Sequence, residues 1–388
     1  MLLFTAKRFR DIIPARARRA LVSLTISLAI WGLRHIVYPA FTLLLCCKSL
    51  FGITRSHQTR KIAESSGLHS KSLKSIINAT MVRISHPSLS TFIFHPSATK
   101  FDDSHLLFCA TRSNRRVNYP SAATGKILGT GSYLSQIVVF KIKTIDLISK
   151  KSPVIAGPVA EIPHSSSTDK QEYSEPRIFR TSNGAHISVT CNSASGFRDG
   201  SSAKVSIFNL DANLADRNNC QLLEYDDSNL IEKNWMPVSD CTQTSLKFIY
   251  RIHPTITLTY EPSSAQFSSS PGISRQESPR QLANYRGGSP LQKVPDSDFF
   301  ICTAHFTHLS PARHYVHRFV IFRDSPDGMR VVGFSPTFHF RKPFDIEFST
   351  GLTIAGNVAF VSFGFRDRES WVCSFDIATL LSKAINWC

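Results

Sequence analysis

The sequence predicts an all-β fold, and three observations support this prediction. Short runs rich in β-branched and aromatic residues recur from about residue 80 onward, separated by turn-forming clusters. Charged residues make up only 19% of the chain, fewer than the exposed faces of long helices normally need. Numerous, evenly spaced short strands imply a sandwich, a barrel or a propeller. Roughly 300 residues is large for one sandwich and would fit five blades of four strands, but no repeat is legible, so the spacing alone does not give the blade count.

The individual strands follow from these runs, which end at Gly, Pro, Asn or Ser. The clearest predicted strands are 187–191, 203–209, 246–251, 255–260, 299–306, 315–322, 331–340, 358–363 and 371–376. A short helix is predicted at 376–386. Proline and serine dominate 151–175 and 262–281, so we expect these two stretches to be insertions between blades.

The net charge of +17 is concentrated at the N-terminus. Residues 1–83 hold 14 Lys and Arg against Asp11 and Glu64, which accounts for +12 of that charge. A nucleic-acid-binding domain carries its basic stripe on the folded body itself. The uneven distribution therefore argues against a nucleic-acid partner.

The N-terminal segment, residues 1–80, contains two uncharged apolar runs, 21–33 and 36–47. Neither run alone reaches the ~20 residues that cross a bilayer, but together they are long enough. Six basic residues precede them, which predicts a helical anchor or signal at about 20–47, followed by a stem. The body, 81–388, would then face the secretory or Golgi lumen as a membrane-anchored domain. A mitochondrial transit peptide and a cleaved signal of a secreted protein are the alternatives.

Nine cysteines are present, none in a CxxC pair, which argues against a zinc or thioredoxin-like site. Several lie in apolar strand-like runs, so buried thiols are expected. Export would permit a disulfide, and Cys220 with Cys241 is one candidate pair. Asn78-Ala79-Thr80 is an acceptor pattern for N-glycosylation on the side that export would place in the lumen.

A series of polar motifs lies along the second half of the chain. They read SEPRIF at 174–179, EKNWMPV at 232–238, IYRIHP at 249–254, RGGSP at 286–290, AHF at 304–306, YVHR at 315–318, DIEFSTGL at 345–352 and SFGFRDRESW at 362–371. In this order and spacing the set resembles glycoside hydrolase family 130 and the related propeller mannosyltransferases, over about residues 170–376. The resemblance implies a five-bladed propeller that acts on mannosides.

The resemblance also places Glu175 where the family has the aspartic general acid of an E-D-P-R motif. Glu175 is one methylene longer than that aspartate, which leaves open an adjusted active site or a loss of activity. Cleavage of a glycosidic bond requires an acid that protonates the leaving oxygen, so a carboxyl group suits the role. Pro176 should restrict Glu175 to extended backbone. Arg177 could orient a carboxylate or a phosphate through paired N–H groups.

Candidate binding residues are a mixture of cations, amides, rings and glycine. Lys233, Asn234 and Trp235 combine the groups that bind sugar hydroxyls and stack on a pyranose, although Trp235 could equally be a core residue. Arg286 and Gly287 suit a phosphate approached closely by backbone, or a tight turn. Candidates on neighbouring strands are His305, Tyr315 and His317, the last two on one face.

Two further carboxylates, Glu347 and Asp367, are candidates for the base that a hydrolase needs. An ion pair with Arg366 or Arg368 is the alternative role for Asp367. No HExxH motif or carboxylate cluster occurs, so we predict no metal ion and no other cofactor.

Three functions follow from these motifs. The first is a glycosyltransferase, most simply a mannosyltransferase with a phosphorylated sugar donor and a glycan acceptor, because anchored glycan enzymes are usually biosynthetic. The second is a glycoside phosphorylase or hydrolase acting on mannosides. The third is a non-catalytic sugar-binding propeller, which the glutamate at position 175 would favour.

Overall fold

The computed structural model describes residues 70–85, 92–113, 136–153, 158, 160–162, 171–193, 203–210, 220–225, 233–240, 242–270, 278–308, 314–326 and 328–388. These residues belong to one compact unit, His69–Val117 together with Gly129–Cys388. The predicted N-terminal anchor, Cys241 and its candidate disulfide lie outside the described residues. Within them, none of the helices has the length and apolar character of a membrane span.

The first two sheets are four-stranded and antiparallel, with their strands in sequence order. The first contains β3 (Phe92–Lys100), β4 (His105–Ser113), β5 (Gln136–Lys143) and β6 (Ala160–Ile162). The second contains β7 (Gln171–Thr181), β8 (Gly184–Ser193), β9 (Ala203–Asn209) and β10 (Cys220–Leu223). Runs such as Ile137–Phe140 are buried on both faces, because other sheets cover both sides.

A twelve-stranded sheet consists of two antiparallel parts joined by one parallel pair, β11 with β16. Its first part contains β11 (Met236–Ser239), β12 (Leu246–Arg251), β13 (Ile256–Glu261) and β14 (Gln266–Ser269). Its second part contains β15 (Arg286–Gly287), β16 (Leu291–Lys293), β17 (Phe299–His308), β18 (His314–Arg323), β19 (Arg330–Phe334), β20 (Phe338–His339) and the terminal β24 (Asn386–Trp387). The parallel β1 (Lys71–Ser72) extends this part along β20. A 3₁₀-helix covers Arg280–Leu282.

The last sheet combines the two ends of the described chain. It contains β21 (Glu347–Ala355), β22 (Val358–Phe365), β23 (Glu369–Asp376) and, at its outer edge, β2 (Thr80–Ile84). Among the described residues there are three short α-helices: α1 (Leu73–Ile76), α2 (Thr144–Ile148) and α3 (Ile377–Lys383). The Asp376 carboxylate caps α3 by accepting from the Thr379 N–H at 2.6 Å.

The innermost strands contact one another in sequence order, and the last returns to the first. Hydrogen bonds mark three of these contacts: Ile178 N–H to Ser97 Oγ (3.0 Å), Arg180 N–H to Ser239 Oγ (3.1 Å) and Thr303 Oγ1 with Ser349 Oγ (2.9 Å). The returning contact is the Thr350 hydroxyl, which donates to the Pro96 carbonyl at 2.7 Å. Together with the β11–β16 pair, these contacts give a propeller-like arrangement.

Separate apolar clusters fill the spaces between successive sheets. Each space holds at least one buried pair from both of its walls: Cys109 with Ile178, Phe179 with Phe248, Ile249 with Phe300, Phe319 with Phe363, and Phe108 with Phe360. Many strands carry apolar residues on both faces, because every sheet packs against two neighbouring sheets.

Most predicted strands are confirmed, with three corrections. The run 331–340 is two strands, β19 and β20, because residues 335–337 leave the ladder. The predicted loop at 151–175 contains β6 and the start of β7, and the predicted loop at 262–281 contains β14. Local proline and serine content misled the prediction, since edge strands tolerate both residues.

Gly351 tests the contact between the last and first sheets. A Cβ atom at this position would lie 2.0 Å from Ser362 Oγ and 2.6 Å from Ser97 Cα. We expect Gly351→Ala to lower the free energy of unfolding by about 2 kcal/mol or more, measured by urea denaturation, because backbone must move. Gly356→Ala is the control: no atom lies within 4 Å of its Cβ, and its φ of +57° should cost only about 1 kcal/mol. Equal losses would contradict this account.

Candidate active site

Two neighbouring inner strands carry matching bulges, each an X-Pro pair. In β7 the register shifts between Ser174 and Arg177, and in β3 it shifts between Phe94 and Ser97. Glu175 and His95 occupy these bulges with φ of 52° and 49°. The prediction that Pro176 keeps Glu175 extended is therefore wrong: the bulge rotates this residue out of the ladder and re-aims its side chain.

Arg177 lies beside Glu175 and is 2% exposed. Its Nε donates to the Gly288 carbonyl at 2.7 Å, its Nη1 to the Glu175 carbonyl at 3.1 Å and its Nη2 to Asn234 Oδ1 at 3.3 Å. No carboxylate of the described residues forms an ion pair with it, and burial lowers the pKa of the guanidinium. The Glu175 carboxylate opposes this lowering through space, but the hydrogen bonds of Arg177 go only to neutral oxygens, which leaves its positive charge able to attract an anionic ligand.

Three further cationic or imidazole side chains surround this guanidinium. His305 is 3% exposed, and burial together with the charges of His317, Arg177, Arg286 and Lys233 lowers the pKa of His305 well below its usual value. Arg286 pairs directly with His305 across β15 and β17 and is exposed, whereas Lys233 is half-buried. The structure thus brings predicted cations from the second sheet, from the twelve-stranded sheet and from the loop before β11 into one electrostatic neighbourhood.

Phe348 lies at the centre of a group of rings with His95, His305 and Tyr315, which we call the neutral wall of the site. Its ring is 4.9 Å from the His305 ring, 5.9 Å from Tyr315 and 5.8 Å from His95, and the Arg177 guanidinium is 6.0 Å from its centroid. These side chains come from strands of four different regions of the chain. The predicted residues Arg177, His305 and Tyr315 therefore meet around a ring that the sequence analysis did not single out.

The carboxylate of Asp367 contacts His95, the second imidazole that packs against Phe348. Its Oδ1 accepts from His95 Nε2 at 3.0 Å, and Asp367 is 8% exposed. Of the two arginines offered as alternative partners of Asp367, Arg366 binds Asp345 through three contacts of 2.7–3.0 Å, and the pairing of Asp367 with Arg368 stays a prediction. His95 was missed by the sequence analysis.

Four of the nine described non-glycine residues with positive φ belong to this site. His95, Glu175, Asn234 and Asp367 all adopt positive φ, between 48° and 65°. Residues with a Cβ rarely occupy this region, and such outliers are typical of functional sites, where the surrounding structure holds them in place. The four residues come from four sheets or their connecting loops, and it is their contacts, rather than this conformation alone, that define the site.

Glu347 has a structural position that differs from the predicted base. It is 0% exposed, and its two oxygens accept the backbone N–H groups of Phe340, Arg341 and Lys342 at 2.6–2.9 Å. Burial raises the pKa of Glu347 to about 7, an effect that these three amides oppose. Its oxygens hold the segment 340–342, so they are not free to activate a water molecule.

Three predicted binding residues are also part of the framework. Trp235 is 2% exposed and packs edge-on against Phe248 and Phe267, so its ring faces are not available for a sugar. His317 is 0% exposed. Gly287 lacks a side chain because a Cβ there would lie 2.0 Å from the Asn234 carbonyl, so this glycine permits backbone packing rather than ligand approach.

In the described part of the chain, no group of three or more His, Cys, Asp or Glu side chains is arranged to bind a metal ion. The described cysteines, including Cys220, are free thiols. Burial raises the pKa of Cys191 to about 11, so this thiol is poorly reactive.

Comparison with known proteins finds similarity only in structure. No protein-family model matches the sequence, and no curated protein matches it. A glycosyl hydrolase from Bacteroides ovatus superposes with a TM-score of 0.50 at 14% identity, over 74% of this chain and 85% of that one. The β-1,2-mannobiose phosphorylase from Listeria innocua, solved with β-1,2-mannobiose, gives a TM-score of 0.51 at 11% identity over 79% and 99%. The resemblance seen in the motifs is thereby confirmed at the level of the fold.

The burial of His317 predicts a pH-dependent stability. Burial, with the nearby His339 adding to it, lowers the pKa of His317 to about 3, whereas in the unfolded chain it is about 6.5. The unfolded state therefore takes up the proton first, and the free energy of unfolding falls as the pH drops below 6.5. This group alone contributes a loss of about 2 kcal/mol or more between pH 6.5 and pH 4.

The His317 ring packs against Phe338 and Phe340, so a phenylalanine suits the same position. We expect His317→Phe to reduce the loss of unfolding free energy at acidic pH. The measurement is urea denaturation at several pH values between 7 and 4. Parallel stability curves for the variant and the natural chain would show that His317 is not the titrating group.

Proposed function

We propose that the chain is a five-bladed propeller enzyme that cleaves mannosides by phosphorolysis. The observation that carries the proposal is Arg177, a buried guanidinium that donates hydrogen bonds only to neutral oxygens and lies directly beside Glu175. Arg286 and Lys233 add positive charge on the same side, as the lowered pKa of His305 indicates. A dianionic phosphate matches this charge, and guanidinium groups bind its oxygens in pairs.

The chemical step uses one carboxylic acid. A phosphate oxygen attacks the anomeric carbon of the sugar, and the bond from that carbon to the glycosidic oxygen breaks. The protonated Glu175 carboxyl gives its proton to the departing oxygen and is left as a carboxylate. The products are a sugar 1-phosphate and a glycan shortened by one unit, so atoms and charges balance without another reactant.

Hydrolysis has weaker support, because it requires a second carboxylate that activates water. Glu347 accepts three backbone amides, and Asp367 is hydrogen-bonded to His95. A phosphorylase needs no such base, since phosphate is itself the nucleophile. The positive charges around Arg177 and the existing hydrogen bonds of Glu347 and Asp367 therefore both favour phosphorolysis over hydrolysis.

Glycosyl transfer from a sugar nucleotide, the first function predicted from sequence, also has weaker support than phosphorolysis. The Listeria innocua protein of the same fold is a phosphorylase, and the Bacteroides ovatus protein is a glycosyl hydrolase. At 11% and 14% identity these likenesses support the fold, and the choice of reaction rests on the site. A sugar 1-phosphate remains a substrate of the reverse reaction, in which a glycan is the acceptor.

The neutral wall of the site and the adjoining Asp367 carboxylate suit the binding of a sugar. Phe348 and Tyr315 offer apolar ring surface, whereas Asp367 provides acceptors for hydroxyl groups. His95 fixes the orientation of that carboxylate through its 3.0 Å contact. The arrangement separates an anion-binding side, around Arg177, from a sugar-binding side, around Asp367, with Glu175 close to the first.

The N-terminal targeting segment and the secretory or Golgi location remain part of the proposal, supported by the sequence pattern of residues 20–47 alone. Protease protection of the chain in sealed cell membranes would test them. If residues 81–388 are digested without detergent, the lumenal placement is wrong.

Phosphate dependence tests the proposed reaction directly. We expect β-1,2-mannobiose to yield mannose 1-phosphate only when inorganic phosphate is added, measured by chromatography of the products. Arg286→Ala should raise the KM for phosphate about tenfold or more, because a charged contact is lost, and leave the KM for mannobiose nearly unchanged. Arg330→Ala, an exposed arginine at the opposite end of the sheets, is the matched control. Release of free mannose without phosphate would instead establish a hydrolase.

Glu175 is tested by an isosteric change. We expect Glu175→Gln to lower kcat by about 10²–10⁴ while the substrates still bind, because the amide cannot supply the proton. Glu224→Gln, at an exposed position on the second sheet's border, is the control. Unchanged turnover in the Glu175 variant would remove this residue from the reaction.

A further inference from the structure

Helix α2 lies at the end of the first sheet that is remote from the bulged residues. β3 runs from His95, at the site, to Lys100, and the turn at 101–104 leads into β4. Lys143, the last residue of β5, pairs with His105 at the same end. The helix begins immediately after it, so α2 and the adjoining turn form one surface opposite Glu175.

This surface exposes large apolar side chains. Ile145 is 61% exposed and Ile148 is 45% exposed, while Leu147 between them is buried at 1% and fixes the helix to the core. Phe101, in the neighbouring turn, is 39% exposed. Of the five exposed large hydrophobic residues in the described part of the chain, three therefore lie on this one surface. Grouped exposed apolar residues indicate an interaction site.

Lysines frame the apolar residues. The exposed lysines on this surface are Lys141, Lys143, Lys150 and Lys151. Lys141 Nζ lies 3.7 Å from the centroid of the Phe101 ring, so charge and apolar surface are interleaved. Asp146 is the one acidic residue between them in the sequence, and the nearby Asp102 and Asp103 are already paired with His105 and Lys100. The surface is therefore net positive.

We propose that this α2 surface, defined by Phe101, Ile145, Ile148 and the four lysines, docks onto the anionic headgroup surface of a lipid bilayer. Apolar side chains that enter the interface, bordered by lysines that meet acidic lipids, are the pattern of interfacial binding. A second copy of the chain fits poorly, because a two-fold contact would set these lysines against one another. The proposal is independent of the enzymatic reaction and also of the lumenal location, since acidic lipids are characteristic of the cytoplasmic leaflet.

Docking through α2 has an orientational consequence. Because α2 and Glu175 lie at opposite ends of the inner strands, the candidate active site faces away from the bilayer. The enzyme could then act on glycans in the aqueous space while bound to the membrane.

Hydrogen exchange on vesicles tests the proposal with the full chain. We expect amides of 143–151 and 101–105 to gain protection on phosphatidylcholine vesicles that contain phosphatidylserine, and not on phosphatidylcholine alone. Because the readout is local to these peptides, binding through any other segment does not mimic it. Added salt should reverse the protection, since the lysines act electrostatically.

Variants make the test specific. Ile145→Asp combined with Ile148→Asp should abolish the local protection and weaken binding to the acidic vesicles about tenfold or more, because two apolar side chains are lost from the interface. Leu222→Asp changes a 46% exposed leucine on the outer edge of β10 and should leave both readouts unchanged. Circular dichroism verifies that all variants are folded.

Three results would overturn the proposal. The first is an absence of protection at α2 on acidic vesicles. The second is an equal loss of local protection in the Leu222 variant. The third is protection that appears without lipid and grows with protein concentration, which would identify a second copy as the occupant. Mannobiose turnover does not enter any of these outcomes, so they stand apart from the test of phosphorolysis.

Discussion

The centre of the molecule depends on the hydrogen bonds that the Arg177 guanidinium donates to three segments of the chain. This guanidinium is almost fully buried, and it reaches carbonyl or amide oxygens of Glu175, Asn234 and Gly288, which belong to successive regions of the chain. Leaving such a charge without these oxygens would cost several kcal/mol, so the three segments must converge for the side chain to be accommodated. The same contacts hold the cation next to the proposed acid.

Packing at the centre also explains features that resemble binding motifs in the sequence. Gly287 and Gly288 have no room for a Cβ, because the Asn234 and Thr303 carbonyls lie within 2.0 Å and 2.6 Å of where it would be. Strain at Glu175 and His95 arises from the two bulges and is maintained by the contacts on either side. The residues that stabilise the centre therefore lie next to those proposed to bind the substrates. The burial of each side chain is needed to tell a structural residue from a binding residue.

The sequence was sufficient for the fold class and for much of the cationic cluster, and insufficient for the roles of individual side chains. Strands after residue 184 were predicted because their aromatic and β-branched runs are bounded by clear turns. The same logic failed at β3, where His95-Pro96 interrupts the run, although this pair repeats the Glu175-Pro176 pattern and could have identified the second bulge. Glu347 and His317 alternate with apolar residues just as site residues would, and only the packing of neighbouring sheets shows that both are enclosed.

The last sheet is completed by β2, from the beginning of the described chain, paired along its length with β23, from the end. Nearly 300 residues separate the partners Thr80 and Ser374, so this pairing carries a large loop-closure entropy. During synthesis on the ribosome, β2 must wait for nearly 300 further residues before its partner emerges. Loss of either strand would leave an unpaired strand edge, so this sheet is complete only when the whole stretch from β2 to β23 is present.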